Sequence, residues 1–256
     1  STAKPFQVMP FLMRNGHEVF HLTDQEIAIM CASHSGADHH MSVVSEIQRK
    51  TGVSEADLLC GTHFPYDLAT ANNLREKKQL PTPNRHNCSG KHTGMLAYTR
   101  MMPETDIPYI ELSHPLQLEI LDNFAYMCSI PVEEVKTGID GCSAPNFAAP
   151  LRNAALAIAR LCDPQEGKVG PAERVAACRT VVRAMISYPD MVAGPGRFDT
   201  RLMELGKGKI ISKAGAEGYQ GIGLLPGALG VGSPALGIAI KISDGDARSK
   251  VRSAVS

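Results

Sequence analysis

The chain has 256 residues and a mass of 27.5 kDa, enough to bury a sizeable core without disulfide or metal staples. A 43% hydrophobic and 20% charged composition is ordinary for a globular protein, and 26 Lys+Arg balance 26 Asp+Glu. That balance gives no electrostatic case for nucleic acid or an anionic membrane surface, and apolar runs such as 154–159 stop far short of the roughly 20 residues a bilayer requires.

No charged-then-apolar leader opens the sequence, so a cytoplasmic location is expected. The start at Ser1 and the polar close from Asp244 onward read as truncated ends of a longer chain. Seven cysteines, an odd number, in a long chain without a leader point to reduced thiols.

In chain order, Lys4–Asn15 reads as a short helix stopped by Gly16. Thr23-Asp-Gln-Glu26 spells a capping box ahead of the apolar run Ile27–Cys31. After a His-rich polar stretch, helical spacing resumes over Met41–Lys50 and ends at Gly52. Further helices are predicted over 66–78, 94–101, 115–128, 150–161 and 171–188, the last framed by prolines. The final fifty residues change character: 209–213, 219–225 and 236–242 read as three short strands separated by glycine-rich turns. The stretch 226–234 is a hairpin connection and not a phosphate cradle, since no lysine-bearing P-loop helix follows it. The fold expected is α+β, a helical body with an antiparallel C-terminal sheet.

Several segments carry chemistry. Ser1-Thr-Ala-Lys4 is a Ser-x-x-Lys whose two ends share a helix face, so a neutral Lys4 could serve as base to Ser1. The same spelling arises often by chance. A free amine on Ser1 would instead suit an N-terminal nucleophile. Cys88 and Cys142 lie in polar, glycine-rich segments and could together hold a soft-to-borderline metal, with His86 or His92 as the conventional third ligand. Lys91 would serve only when neutral. Cys31, Cys128, Cys162 and Cys178 sit in apolar helical runs and read as small buried hydrophobes; Cys60 stays undecided. The segment 32–40 gathers Ser33, His34, Ser35, Asp38, His39 and His40, but spacing supports neither a triad nor a metal site over a polar capping loop. Lys213, at the end of a predicted strand, could face a cleft in the manner of a Lys-Thr-Gly segment that has lost its hydroxyl.

Taken together, these segments resemble one family. Ser-x-Ala-Lys-Pro at 1–5, Cys-Ala-Ser-His-Ser at 31–35, Asn-Cys-Ser-Gly-Lys-His at 87–92 and Asp-Gly-Cys at 140–142 stand in order. Met-Val-Ala-Gly-x-Gly-Arg-Phe at 191–198 and Lys-x-Gly-Ala at 213–216 complete the set. The chain resembles the bacterial asparaginase II family of the rhizobial type, the serine–lysine, zinc-containing class, from Ser1 to about Asp244. The resemblance implies a fold similar to serine β-lactamases and glutaminases, a single asparaginase catalytic domain over 1–256, a homodimer, and L-asparagine as substrate. It implies two Ser–Lys pairs, Ser1 with Lys4 and Ser33 with Lys213. It further implies one zinc ion per chain on Cys88, Lys91 and Cys142, with water as fourth ligand. On this reading Ser1 attacks the side-chain amide and Ser33 relays protons or donates to the oxyanion, while Asp140 and His34 are candidates for binding the substrate. A glutaminase-like acyl-serine enzyme and a non-catalytic zinc-stabilised binding protein are the alternatives.

Overall fold

The computed structural model describes residues 2–243, and Ser1 and 244–256 lie outside the described residues. Helices α1 (Lys4–Gln7) and α2 (Met9–Met13) occupy the stretch expected as one helix. The break has a covalent cause: Pro10 has no N–H to give to the Phe6 carbonyl, so the ladder restarts one residue before it. Asn15 turns the chain with a left-handed φ of 57°, and Gly16 opens α3 (Gly16–Val19) and does not end a helix.

Helix α4 (Asp24–Met30) starts at the capping box the sequence spells. The Thr23 hydroxyl accepts from the Glu26 N–H, and the Glu26 carboxylate accepts from the Thr23 N–H at 2.6 Å. Helix α5 (Asp38–Thr51) begins three residues earlier than read and ends on Gly52 in the left-handed region. Its buried positions, His40, Val44, Ile47, Gln48 and Thr51, follow helical periodicity and form one inward stripe. Then come α6 (Leu68–Glu76), α7 (Ser89–Thr99), α8 (Pro115–Cys128), α9 (Leu151–Cys162), α10 (Ala172–Ser187), α11 (Pro189–Val192) and α12 (Phe198–Leu205). Helix α10 is buried on most of its circumference and packs against α2 and α4, which makes it the centre of the helical body.

Strands β1 (Lys136–Ile139) and β2 (Pro145–Ala148) form a small antiparallel hairpin. Sequence patterning did not reveal it, because Gly138 and Pro145 interrupt the alternation by which strands are recognised. Strands β3 (Ile210–Ala214), β4 (Tyr219–Leu224) and β5 (Leu236–Lys241) make the expected C-terminal sheet, antiparallel in the order β3-β4-β5. Helix α9 covers one face of β4 and β5, while α12 packs on β3. The fold is therefore α+β. No helix among the described residues is long and apolar enough to cross a membrane.

Candidate active site

Three distant parts of the chain converge on the Ser33 hydroxyl. Lys4 opens α1 and is fully buried; its Nζ donates to Ser33 Oγ at 3.0 Å, to the Ala32 carbonyl, and to the Asn87 carbonyl at 3.4 Å. Lys213, on β3 and equally withdrawn from solvent, donates from Nζ to Ser33 Oγ at 2.9 Å and to the Ala214 carbonyl at 2.6 Å. Ser33 itself is half-buried, in a loop whose neighbours on both sides are buried. One hydroxyl thus sits between two lysine nitrogens.

Local sequence explains why the Ser33 loop is held so firmly. Its N–H donates to the Val192 carbonyl at the end of α11. Two residues on, Gly194 adopts a φ of 129°, and a Cβ there would stand 2.5 Å from Ser35 Oγ. Only glycine combines that backbone with so close an approach.

Burial and like charge act together on Lys213. Desolvation first, then the neighbouring Lys4, with Arg197 adding to both, lower its proton affinity to about 7, against the opposing pull of Asp199. A lysine amine neutral near pH 7 can accept a proton from a serine.

His34 is completely buried, and both ring nitrogens are engaged within the protein. Nδ1 accepts from the Gly36 N–H at 3.1 Å, and Nε2 meets Ser89 Oγ at 3.0 Å. The ring ties the Ser33 loop to the first turn of α7. Burial, followed by His40 and Lys4, holds His34 well below the usual imidazole range. Two other candidates in this segment have structural partners: Asp38 pairs with Arg85 at 2.6 Å and His40 meets the Asp190 carbonyl at 3.0 Å. Ser33 contacts lysines and not these histidines.

The second cluster lies at the start of α7. Cys88 caps that helix and Lys91 is in its first turn, while Cys142 sits in the tight 140–144 connection of the β1–β2 hairpin. Lys91 Nζ lies 2.9 Å from Cys142 Sγ across 51 residues of sequence, and all three side chains are buried. Gly90 permits this, because a Cβ there would stand 2.3 Å from the Ile29 carbonyl oxygen where α7 meets α4. Cys88 is held well below the thiol range, first by the Cys142 thiol that donates to it, then by the charges of Lys4 and Lys91. Cys142 moves upward correspondingly, so the pair shares one proton. Lys91 stays protonated: burial alone would release its proton, but Cys88, Cys142 and Asp140 together outweigh that.

Of the conventional third ligands, His92 is engaged away from the sulfurs, while His86 stays beside Cys88. His92 Nδ1 meets the Tyr109 hydroxyl at 2.7 Å, and His86 Nδ1 accepts from the Cys88 N–H at 3.0 Å. No group of three or more His, Cys, Asp or Glu side chains among the described residues is placed to hold a metal. Counting Lys91, whose Nζ lies beside Cys142 Sγ, brings three donors together at these sulfurs. Two sulfurs and an amine nitrogen, buried and in mutual contact, suit a borderline cation such as zinc once Lys91 and the cysteine pair release their protons.

Asp140 is partly buried in the same hairpin turn, its Oδ1 accepting from the Gly141 N–H at 2.8 Å. Burial pushes its carboxyl up, yet surrounding positive charge, including Lys91 and Lys4, more than offsets this and holds it below the ordinary value. Cys31, Cys128, Cys162 and Cys178 are buried free thiols pushed up to about 12 by burial, as small hydrophobes should be. Cys60 joins them, its thiol directed at the Gly61 and Pro83 carbonyls.

A family model described as L-asparaginase II matches residues 1–256, the whole chain. The chain belongs to the L-asparaginase II family. A search of curated proteins gives no match. Family membership supports asparaginase activity in general. Within this L-asparaginase II fold, one largely apolar cavity lies away from Ser33. That cavity, of about 340 Å³, lies between α9, β2 and the β3–β4 turn and is lined by Phe6, Phe124, Phe147, Leu151 and Ile158 among others. Its lining also includes Asn146, Glu217 and Lys241, whereas the lysine-flanked Ser33 gathers buried amines around one hydroxyl. Sequence reasoning missed Asn87 and Asp199 as parts of the site. Asn87 contributes only its backbone carbonyl to Lys4, and that leaves no residue-type signal.

Proposed function

We propose that this protein hydrolyses the side-chain amide of L-asparagine to L-aspartate and ammonia through serine–lysine catalysis. The observation that carries the reading is the Lys4–Ser33–Lys213 chain, with nitrogen–oxygen distances of 3.0 and 2.9 Å. Ser33 accepts a proton from Lys4 and passes its own to the Lys213 amine, leaving Lys4 neutral. Lys4 then takes the proton of Ser1, the residue three positions before it, as Ser1 Oγ adds to the amide carbon. Ser1 lies outside the described residues, and its role rests on the resemblance of the Ser-x-x-Lys motif. The tetrahedral intermediate collapses with protonation of the leaving nitrogen by the same chain, ammonia departs, and water cleaves the β-aspartyl ester to free aspartate.

Charge in the site favours the substrate's own charges. Lys4 and Lys213 stand near its carboxylate and developing oxyanion, and Asp140 is the nearby anion for its α-amino group. Cys88, Lys91 and Cys142 would hold the zinc ion, which when bound supplies a Lewis acid able to polarise a carboxylate or water.

The deciding experiment measures ammonia release from L-asparagine and L-glutamine by the purified protein, beside Ser1→Ala, Lys4→Ala, Ser33→Ala and Lys213→Ala. Release from asparagine that each substitution cuts by at least about 100-fold is expected, the scale of general acid–base catalysis. A folded, zinc-loaded protein that releases no ammonia from either amide would overturn the reading.

A further inference from the structure

The Lys213 amine meets Ser33 at 2.9 Å only if the end of β3 is held in place, and one buried side chain holds it. Asp199, in the first turn of α12, is 4% exposed. Its Oδ1 accepts from Ser212 Oγ at 2.7 Å and from Gln220 Nε2 at 2.8 Å, and its Oδ2 accepts from the Ala214 N–H at 2.8 Å. Ser212 and Ala214 are the two residues that flank Lys213. Side chains alternate along a strand, so Asp199 grips β3 from the face opposite the one that presents Lys213. Gln220, the register partner of Ala214 on β4, also donates to Ser212 Oγ at 2.9 Å and closes the network. Ala214 is thereby held at both ends, its N–H by Asp199 and its carbonyl by Lys213 Nζ at 2.6 Å.

We propose that Asp199 is a positioning residue for Lys213, clamping its two neighbours in the strand and supplying a buried negative charge behind it. This rests on the serine–lysine reading of the site. The charged and titratable groups that face Lys213 are Lys4 on α1, Arg197 before α12, Asp199 within it, Cys88 before α7 and Cys31 after α4. Lys4 and Arg197 favour loss of the Lys213 proton, while Asp199 and, less strongly, Cys88 favour keeping it. Without the carboxylate charge, the amine releases its proton at lower pH.

The test follows the Lys213 amine directly by NMR titration of lysine-labelled full-length protein, assigned with Lys213→Met. In parallel it measures the pH profile of ammonia release. Asp199→Asn is close in shape and removes the charge. It is expected to lower the Lys213 titration midpoint by about half a pH unit or more. The acid limb of activity should move with it, and kcat should fall about tenfold or more while KM changes little. Asp199→Glu restores the charge and should return the midpoint toward that of the wild type. A folded Asp199→Asn protein with an unmoved midpoint overturns the proposal. Ser212→Ala keeps the charge but removes one strut, and it decides the matter should Asp199→Asn fail to fold. It should lower kcat severalfold with the midpoint in place, and an unchanged kcat overturns the clamp. If no variant, wild type included, releases ammonia, the asparaginase reading falls while the titration midpoints still judge Asp199.

Discussion

Lys213 Nζ lies 2.9 Å from Ser33 Oγ although 180 residues separate them in the chain. The contact requires a β3 strand packed against α12 and a loop fixed by α4 and α11, so it exists only in the folded protein. It also withdraws an amine from water beside a second lysine, a costly arrangement for stability. Such an arrangement marks functional sites more often than structural ones.

Replacing Lys213 should therefore separate function from stability. Lys213→Met keeps most of the side-chain volume and removes the buried amine. It should cut ammonia release from asparagine by about 100-fold or more while leaving the protein at least as stable as the wild type. Urea unfolding monitored by circular dichroism checks the second half. A variant that is inactive because it is unfolded would contradict the argument.

The pH dependence of that stability has a definite sign. The folded midpoint of Lys213, about 7, lies below the 10.5 of an ordinary lysine. Between those values the unfolded chain holds a proton that the folded chain has released, so this group makes stability rise with pH by about 1.4 kcal/mol per unit. Below pH 7 the penalty is present in full. The gain from Lys213→Met should accordingly be largest near pH 6 and fade toward pH 10, as read from urea midpoints across that range. Catalysis that depends on the neutral amine should likewise rise through about pH 7, and an acid limb absent from kcat would count against the relay.

Much of this site was legible in the sequence, and the reasons for the rest are physical. The family resemblance singled out Ser33, Cys88, Lys91, Cys142 and Lys213, side chains that the fold does bring together, whereas their surroundings in polar, glycine-rich turns marked only Cys88 and Cys142. The capping box at Thr23 was readable because it is a local interaction between residues three apart. The burial of His34 was not legible, since its contact with Ser89 on α7 joins residues more than 50 positions apart. Pairing His86 or His92 with the cysteines followed metal-ligand habit. Helix geometry instead carries His92 to Tyr109 and leaves Lys91 facing Cys142. Asp199 had no local signal, because a clamp on β3 from α12 is a tertiary relationship.

Gly194 offers a test of how rigidly the Ser33 loop must be held. At a φ of 129° with only 2.5 Å between an added Cβ and Ser35 Oγ, Gly194→Ala combines backbone strain with a steric clash. A loss of roughly 1–3 kcal/mol in unfolding free energy is expected, measured by urea denaturation. Since Val192 nearby accepts the Ser33 N–H, kcat should fall as well. Full activity in a destabilised variant would mean that the loop adjusts without moving Ser33.

Zinc binding should be strongly coupled to proton release. In the metal-free protein Lys91 carries its proton and Cys88 and Cys142 share one, so binding through all three must expel about two protons near neutral pH. Isothermal titration calorimetry in buffers of different ionisation enthalpy counts them, and affinity should drop steeply as pH falls. Lys91→Arg keeps the positive charge on a group that cannot be deprotonated and so cannot ligate. It should lower the metal content, measured by mass spectrometry after dialysis, from about one zinc per chain to well below that. Cys142→Ser should do the same. Retention of a full equivalent by Lys91→Arg would remove the lysine from the ligand set and leave the two cysteines with another partner.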